Sequence, residues 1–114
     1  GEFNTVGIQK LKLPKTLDQN SLYLDGTWEF SREFATNKTP DAKISIKYSA
    51  KEVYLVAGSD ATNTITVLQD GKKANVNIAN TDIYKLTINA VAGEHTLQIT
   101  ITNPGLNAYV LRFR

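Results

Sequence analysis

The feature that most constrains this amino-acid sequence is a two-residue alternation of apolar and polar side chains. In Lys43-Ile44-Ser45-Ile46-Lys47-Tyr48, Ile44, Ile46 and Tyr48 fall on one side and only polar groups on the other. The same period runs through Thr64-Ile65-Thr66-Val67, Ala74-Asn75-Val76-Asn77-Ile78 and Thr96-Leu97-Gln98-Ile99-Thr100-Ile101-Thr102. Tyr84, Leu86 and Ile88 alternate with Lys85, Thr87 and Asn89, and Tyr109, Leu111 and Phe113 alternate around Arg112 near the end. Successive side chains on a strand point to opposite faces, so each segment predicts a strand with one face for a core and one for water. No stretch carries the i, i+3, i+4, i+7 apolar spacing of an amphipathic helix at convincing length.

Val53-Tyr54-Leu55-Val56-Ala57 departs from the pattern, being apolar on both sides, and predicts a central strand covered on each face. Trp28 and Phe30 predict another strand, with Asp25-Gly26 breaking the chain just before it. Gln69-Asp70-Gly71-Lys72 reads as a two-residue hairpin, because Asp and Gly both tolerate the positive φ of such turns. Ala92-Gly93-Glu94 and Asn103-Pro104-Gly105 are further turns, and residues 14–22 read as an irregular crossing. Eight or nine short strands with frequent turns predict an all-β fold, an antiparallel two-sheet β-sandwich of jelly-roll type. An immunoglobulin-like sandwich is the alternative, without the Cys-Trp-Cys signature of true immunoglobulin domains.

A chain of 114 residues suits one domain and a core that needs no staple. Gly1-Glu2-Phe3 reads as a remnant of protease cleavage and cloning, leaving residues 4–114 as a single sandwich domain cut from a longer protein. The absence of cysteine excludes thiol catalysis, disulfides and thiolate metal sites within this domain. A net charge of +2, with its lysines scattered, does not predict nucleic-acid binding. No apolar run approaches the roughly 18–20 residues of a membrane span.

No catalytic set emerges. His95 is the single histidine, read as lying on the polar side of its strand with a structural or solvent role. Glu29, Glu33 and Asp25 lie close in sequence, but no motif makes them a glycosidase pair. Ser59-Asp60-Ala61-Thr62-Asn63 is the best calcium candidate, and one acid is a thin ligand supply, so a turn role for Asp60 is favoured. Neither metal nor cofactor is expected. Tyr48, Tyr84, Tyr109 and Phe113 fall in core phase. Trp28 and Tyr54 are the candidates for a sugar-stacking platform, with core packing the competing reading. Glu29 and the outward Arg112 complete the candidate ligand-binding set by offering polar contacts.

The order of these pieces resembles a known family. Leu24-Asp25-Gly26-Thr27-Trp28-Glu29-Phe30 is followed by Ala42-Lys43-Ile44-Ser45-Ile46, Ala50-Lys51-Glu52-Val53-Tyr54-Leu55-Val56 and Val67-Leu68-Gln69-Asp70-Gly71. Gly93-Glu94-His95-Thr96-Leu97, Pro104-Gly105-Leu106-Asn107-Ala108-Tyr109 and Phe113 close the series. This arrangement resembles the C-terminal domain of DipZ-type, thioredoxin-like extracytoplasmic proteins of bacteria, over residues 20–114 with an extension through Thr5–Leu13. The resemblance implies a sandwich similar to carbohydrate-binding modules that follows a redox domain carrying the family's cysteines. It further implies a non-catalytic accessory domain in the periplasm or cell envelope. Its expected partners are the thioredoxin-like domain of its own chain and a cell-envelope glycan or client protein. The alternative is a structural domain that packs on, or dimerises, the redox domain.

Overall fold

A computed structural model describes residues 6–87 and 91–114. Ile88 and the Gly1–Phe3 segment lie outside them. The described residues form ten strands: β1 (Gly7–Leu11), β2 (Leu22–Phe30), β3 (Ala35–Asn37), β4 (Ala42–Ser49), β5 (Val53–Ser59), β6 (Asn63–Gln69), β7 (Lys72–Ile78), β8 (Asp82–Lys85), β9 (Glu94–Ile101) and β10 (Leu106–Phe113). Every strand pairing is antiparallel. The expected all-β, two-sheet sandwich is what forms. No helix of the described residues is long and apolar enough to cross a membrane.

One sheet runs β1–β2–β3–β10–β5–β8 and the other β2–β4–β9–β6–β7, so β2 belongs to both. Its first half, Leu22 to Asp25, pairs with β4, and its second half, from Gly26, pairs with β1 and β3. Asp25-Gly26 therefore does not break the chain. It bends one strand from one sheet into the other.

Gly26 makes the bend with φ at 102°, where side chains are strained. A Cβ there would also lie 3.1 Å from Ala42 Cβ and 2.9 Å from Thr39 Oγ1. Just past the corner, Trp28 is fully buried, and its indole Nε1 donates to the Asp25 carbonyl at 2.9 Å. Packing outweighs that bond: removing a buried aromatic costs about 3–5 kcal/mol, against about 1 kcal/mol net for one hydrogen bond.

The alternating residues meet between the sheets as anticipated. Ile44, Ile46, Tyr48, Leu55, Ile65, Val67, Leu97, Ile99 and Ile101 are all buried. The Asp70-Gly71 turn closes the β6–β7 hairpin, with φ of 49° and 86° at its two residues. β5 is a correction. Val53, Leu55 and Ala57 are buried, but Tyr54 and Val56 are only half-buried, so the strand is covered on one face. The ends of β10 also depart from the expected alternation. A bulge between Ala108 and Val110 shifts the register, and Phe113, in core phase opposite Val53, is 41% exposed at the sheet's end.

Replacing Gly26 by alanine forces a Cβ into the corner at a φ that alanine avoids, and should cost about 2 kcal/mol or more. Urea unfolding of Gly26→Ala measures it; an unchanged midpoint would show that the corner relaxes without strain.

Candidate functional site

The opposite ends of the sandwich differ in chemistry. At one end, His95 is the register partner of Tyr48 and shares the inward phase of Leu97, which corrects its expected place on the polar side. Its ring stacks on Tyr48 at 5.5 Å, and Tyr48 in turn lies 5.4 Å from Phe113. His95 Nδ1 faces Asp70 Oδ2 at 2.5 Å, and Nε2 faces the Val91 carbonyl at 2.6 Å. Both partners are acceptors, which calls for a proton on each ring nitrogen and a charged imidazolium.

The Asp70 carboxylate, then the Val91 carbonyl, hold the His95 pKa above 6.5. The Thr96 amide, at 2.9 Å, is the leading cause that holds Asp70 below 3.8, and His95 adds to it. With both nitrogens engaged, this histidine has none left to act as a general base. It ties the β6–β7 turn to the start of β9.

The other end carries a polar notch with a volume of about 240 Å³, lined by Gly58, Ser59, Asp60, Ala79, Asn80, Thr81 and Asn107. Each wall is braced. The Tyr84 hydroxyl accepts from the Ala79 amide at 3.1 Å and donates to the Asn80 carbonyl at 2.7 Å, clamping the β7–β8 turn. The Ser59 amide donates to the Ala79 carbonyl at 2.7 Å. That turn presses so closely on β5 that a Cβ at Gly58 would sit 2.9 Å from Thr81 Cα. A glycine inside a strand marks such a backbone approach.

Asn107 is held from below. Thr36 Oγ1 donates to its Oδ1 at 2.6 Å, which leaves its amide NH₂ as the group available to a ligand. The turn that leads into it hangs on two buried asparagines. Asn37 Nδ2 and Asn63 Nδ2 both donate to the Asn103 carbonyl, at 2.8 and 2.7 Å. Asn37 Oδ1 accepts from the Leu106 amide at 2.8 Å, and Asn63 Oδ1 from the Asn103 amide at 3.2 Å. Buried amides fully used in this way rigidify what they hold.

The residues singled out in the sequence do not converge. Trp28 is in the core and offers no face to a ligand; the competing core reading is the one observed. Glu29 lies on the outer side of β2 and pairs with Lys38 at 3.1 Å. Tyr54 and Arg112 do come together, as register partners across β5 and β10, with Lys85 opposite Tyr54 on its other side. The Tyr54 ring already carries the Arg114 guanidinium, 5.1 Å from its centroid. Lys85 binds Glu52 at 2.9 Å, which draws the Glu52 carboxyl below its usual range and raises Lys85.

Of the notch, only Ser59 and Asp60 stood out, as part of a calcium loop; Asn80, Thr81 and Asn107 did not. The legible signal is Gly58, directly after the apolar run Val53–Ala57 and near the end of β5. Among the described residues no group of three or more His, Cys, Asp or Glu side chains could hold a metal ion.

A family model described as the thioredoxin-like C-terminal domain matches residues 2–113. The chain belongs to that family. It is similar to the DipZ proteins of Mycobacterium bovis and Mycobacterium tuberculosis, 38% identical to each over 88 residues. That match covers 77% of this chain and 12% of each relative, so the chain corresponds to a small part of the DipZ proteins.

Among solved structures, a family two carbohydrate esterase from Clostridium thermocellum in complex with cellohexaose superposes with a TM-score of 0.72 at 17% identity. The superposition covers 82% of this chain and 31% of the esterase. A family 6 carbohydrate-binding module aligns over 95% of this chain and 92% of its own, with a TM-score of 0.53 at 9% identity. At these identities the likeness is one of fold. This thioredoxin-like C-terminal domain has a carbohydrate-binding-module-like sandwich.

Two outcomes follow from this geometry. Asn37→Ala strands the Leu106 amide and part of the Asn103 carbonyl's bonding in a buried site, which should cost about 1–3 kcal/mol in urea unfolding. Loss of well under 0.5 kcal/mol would mean that water replaces the amide. The His95–Asp70 pair sets the second. His95 has a raised pKa, so its stabilisation is complete below 6.5 and is lost as pH rises through the higher folded value. Asp70 has a lowered pKa, so its share is complete above 3.8 and is lost as pH falls through the lower folded value. The urea midpoint of the native chain should therefore fall on going from pH 6 to 9, and His95→Gln should flatten that slope; equal slopes would remove the pair from the account.

Proposed function

We propose that this domain is a non-catalytic binding module of an extracytoplasmic, thioredoxin-like thiol–disulfide protein, and that its ligand is a cell-envelope glycan. The observation that carries the reading is the braced polar notch at the β5–β6, β7–β8 and β9–β10 end. A ligand rich in hydroxyls needs convergent donors and acceptors fixed before it arrives, because ordering them on binding costs affinity. Asp60, Asn80, Thr81 and Asn107 supply both kinds of group, with Tyr84 holding the β7–β8 turn and the two buried asparagines holding the turn that leads into β10. The fold's likeness to a carbohydrate-binding module agrees with this but does not establish it, since fold and function separate readily.

The non-catalytic part rests on the same geometry. The single histidine has both nitrogens occupied, and there is no cysteine. Redox chemistry then belongs to a neighbouring domain, whose cysteines this domain neither contains nor replaces.

A second reading, a domain that packs on its redox neighbour or on a client protein, draws on the outer face of the β5-containing sheet. Ile83, Val56 and Val110 lie side by side there in register, and Ile83 is 44% exposed. Lys85, Tyr54 and Arg112 form the adjoining row. An apolar strip beside cations suits a protein surface better than a sugar, and Arg114 over Tyr54 blocks ring stacking.

Amide NMR during titration with soluble neutral and charged glycans separates the two readings. Saturable shifts at millimolar glycan or below are expected; silence across the panel would end the glycan reading and leave the packing one.

A further inference from the structure

The chemistry of the notch narrows its ligand. The side chains that line it include one carboxylate, Asp60, and no lysine, arginine or histidine. The neighbouring acid, Asp82, uses Oδ1 to accept the Ile83 amide at 2.7 Å and adds negative charge beside the Thr81 wall. A ligand bearing carboxylate, sulfate or phosphate would meet repulsion there without a cation to offset it. A calcium ion is poorly served as well, since such ions gather six to eight oxygens with several carboxylates among them.

What the lining does offer is an alternation of roles. The Asp60 carboxylate only accepts, the Asn107 NH₂ only donates, and Asn80 and Thr81 do both. Adjacent sugar hydroxyls each donate and accept, so a carboxylate facing amide donors satisfies both functions of a neutral vicinal diol. The volume suits a small group. At about 240 Å³ the notch lies below the roughly 300–1,000 Å³ of pockets for drug-sized ligands. The end of β5 with the β5–β6 turn, the β7–β8 turn and the start of β10 line it. No aromatic ring lines it to stack on a run of sugar units.

Resting on the glycan reading, we propose that the notch takes a single neutral sugar unit at a chain end, holding its vicinal hydroxyls between Asp60 and the amides of Asn80 and Asn107. Recognition is by hydrogen bonds rather than by stacking, so the specificity is for hydroxyl configuration and affinity does not grow with chain length.

The test uses the 114-residue chain and its Asp60→Ala/Asn80→Ala variant. Neither side chain bonds another described residue, so the variant should keep the native melting curve. The probes are glucose, galactose, mannose and N-acetylglucosamine, each with neutral oligosaccharides up to six units, together with galacturonate and calcium chloride. At least one neutral sugar should shift the amides of Gly58, Asp60, Asn80, Thr81 and Asn107, with affinity level from the monosaccharide to the hexasaccharide and at least tenfold weaker in the variant. Galacturonate and calcium chloride should leave those amides unmoved.

Shifts centred on Tyr54, Lys85 and Arg112 would overturn this site and spare the glycan reading. So would affinity that climbs steadily to the hexasaccharide, equal binding of galacturonate, or calcium alone reproducing the shifts. No response to any saccharide would overturn both. If the variant melts early, Thr81→Ala and Asp60→Asn, tested separately, carry the same expectation of weakened binding.

Discussion

The bend in β2 is the constraint on which the other features depend. A sandwich can be made of two independent sheets held by side-chain packing alone, but here one strand hydrogen-bonds into both. That continuity works only if the backbone turns sharply between Asp25 and Thr27, and only a residue without Cβ turns there beside Ala42. Trp28 then fills the corner and ties its indole back to Asp25. The positions of β1 and β3 on one side and of β4 on the other follow from this hinge, as do the loops that those strands carry.

Two polar clusters finish the ends of the sandwich, and they do different work. The His95–Asp70 cluster spends its bonding capacity internally: an imidazolium between two acceptors, stacked on Tyr48, closes the structure. The opposite end spends its buried bonds on holding turns and leaves the turn side chains unspent. Asn37 and Asn63 secure Asn103, Tyr84 secures Ala79 and Asn80, and the groups that remain face a notch. A backbone held in this way would lose little further freedom if its polar side chains engaged a ligand.

The chain belongs to the thioredoxin-like C-terminal family and matches 12% of the length of its DipZ relatives. Thiol–disulfide exchange needs thiolates, and this chain carries no cysteine to supply one. Two surfaces of different character stand out, a hydrophilic notch at one end and an apolar strip beside a cationic row on the flank.

Periodicity was enough to determine the fold class, most of the strands and most of the core. Ile44, Ile46, Leu97, Ile99 and Ile101 are buried because a two-residue period is a property of the backbone that any strand expresses. The Asp70-Gly71 hairpin was equally legible, because positive φ is a local demand met by local residue types. Pairing between distant segments was not legible. The sequence could show neither that Asp25-Gly26 bends a strand instead of ending it, nor that Val56 looks outward, nor that Trp28 fills a corner. Each depends on which strand lies alongside, and the same alternation is compatible with many neighbours. The inward place of His95 is hidden for a related reason: a polar residue at a strand's start carries no sign of the tyrosine that pairs with it. The notch was the least visible feature, since Gly58, Asp60, Asn80 and Asn107 come from three separate stretches of the chain. Only the closing of the two sheets brings these stretches to one end, where Tyr84 and the buried asparagines hold the turns around them.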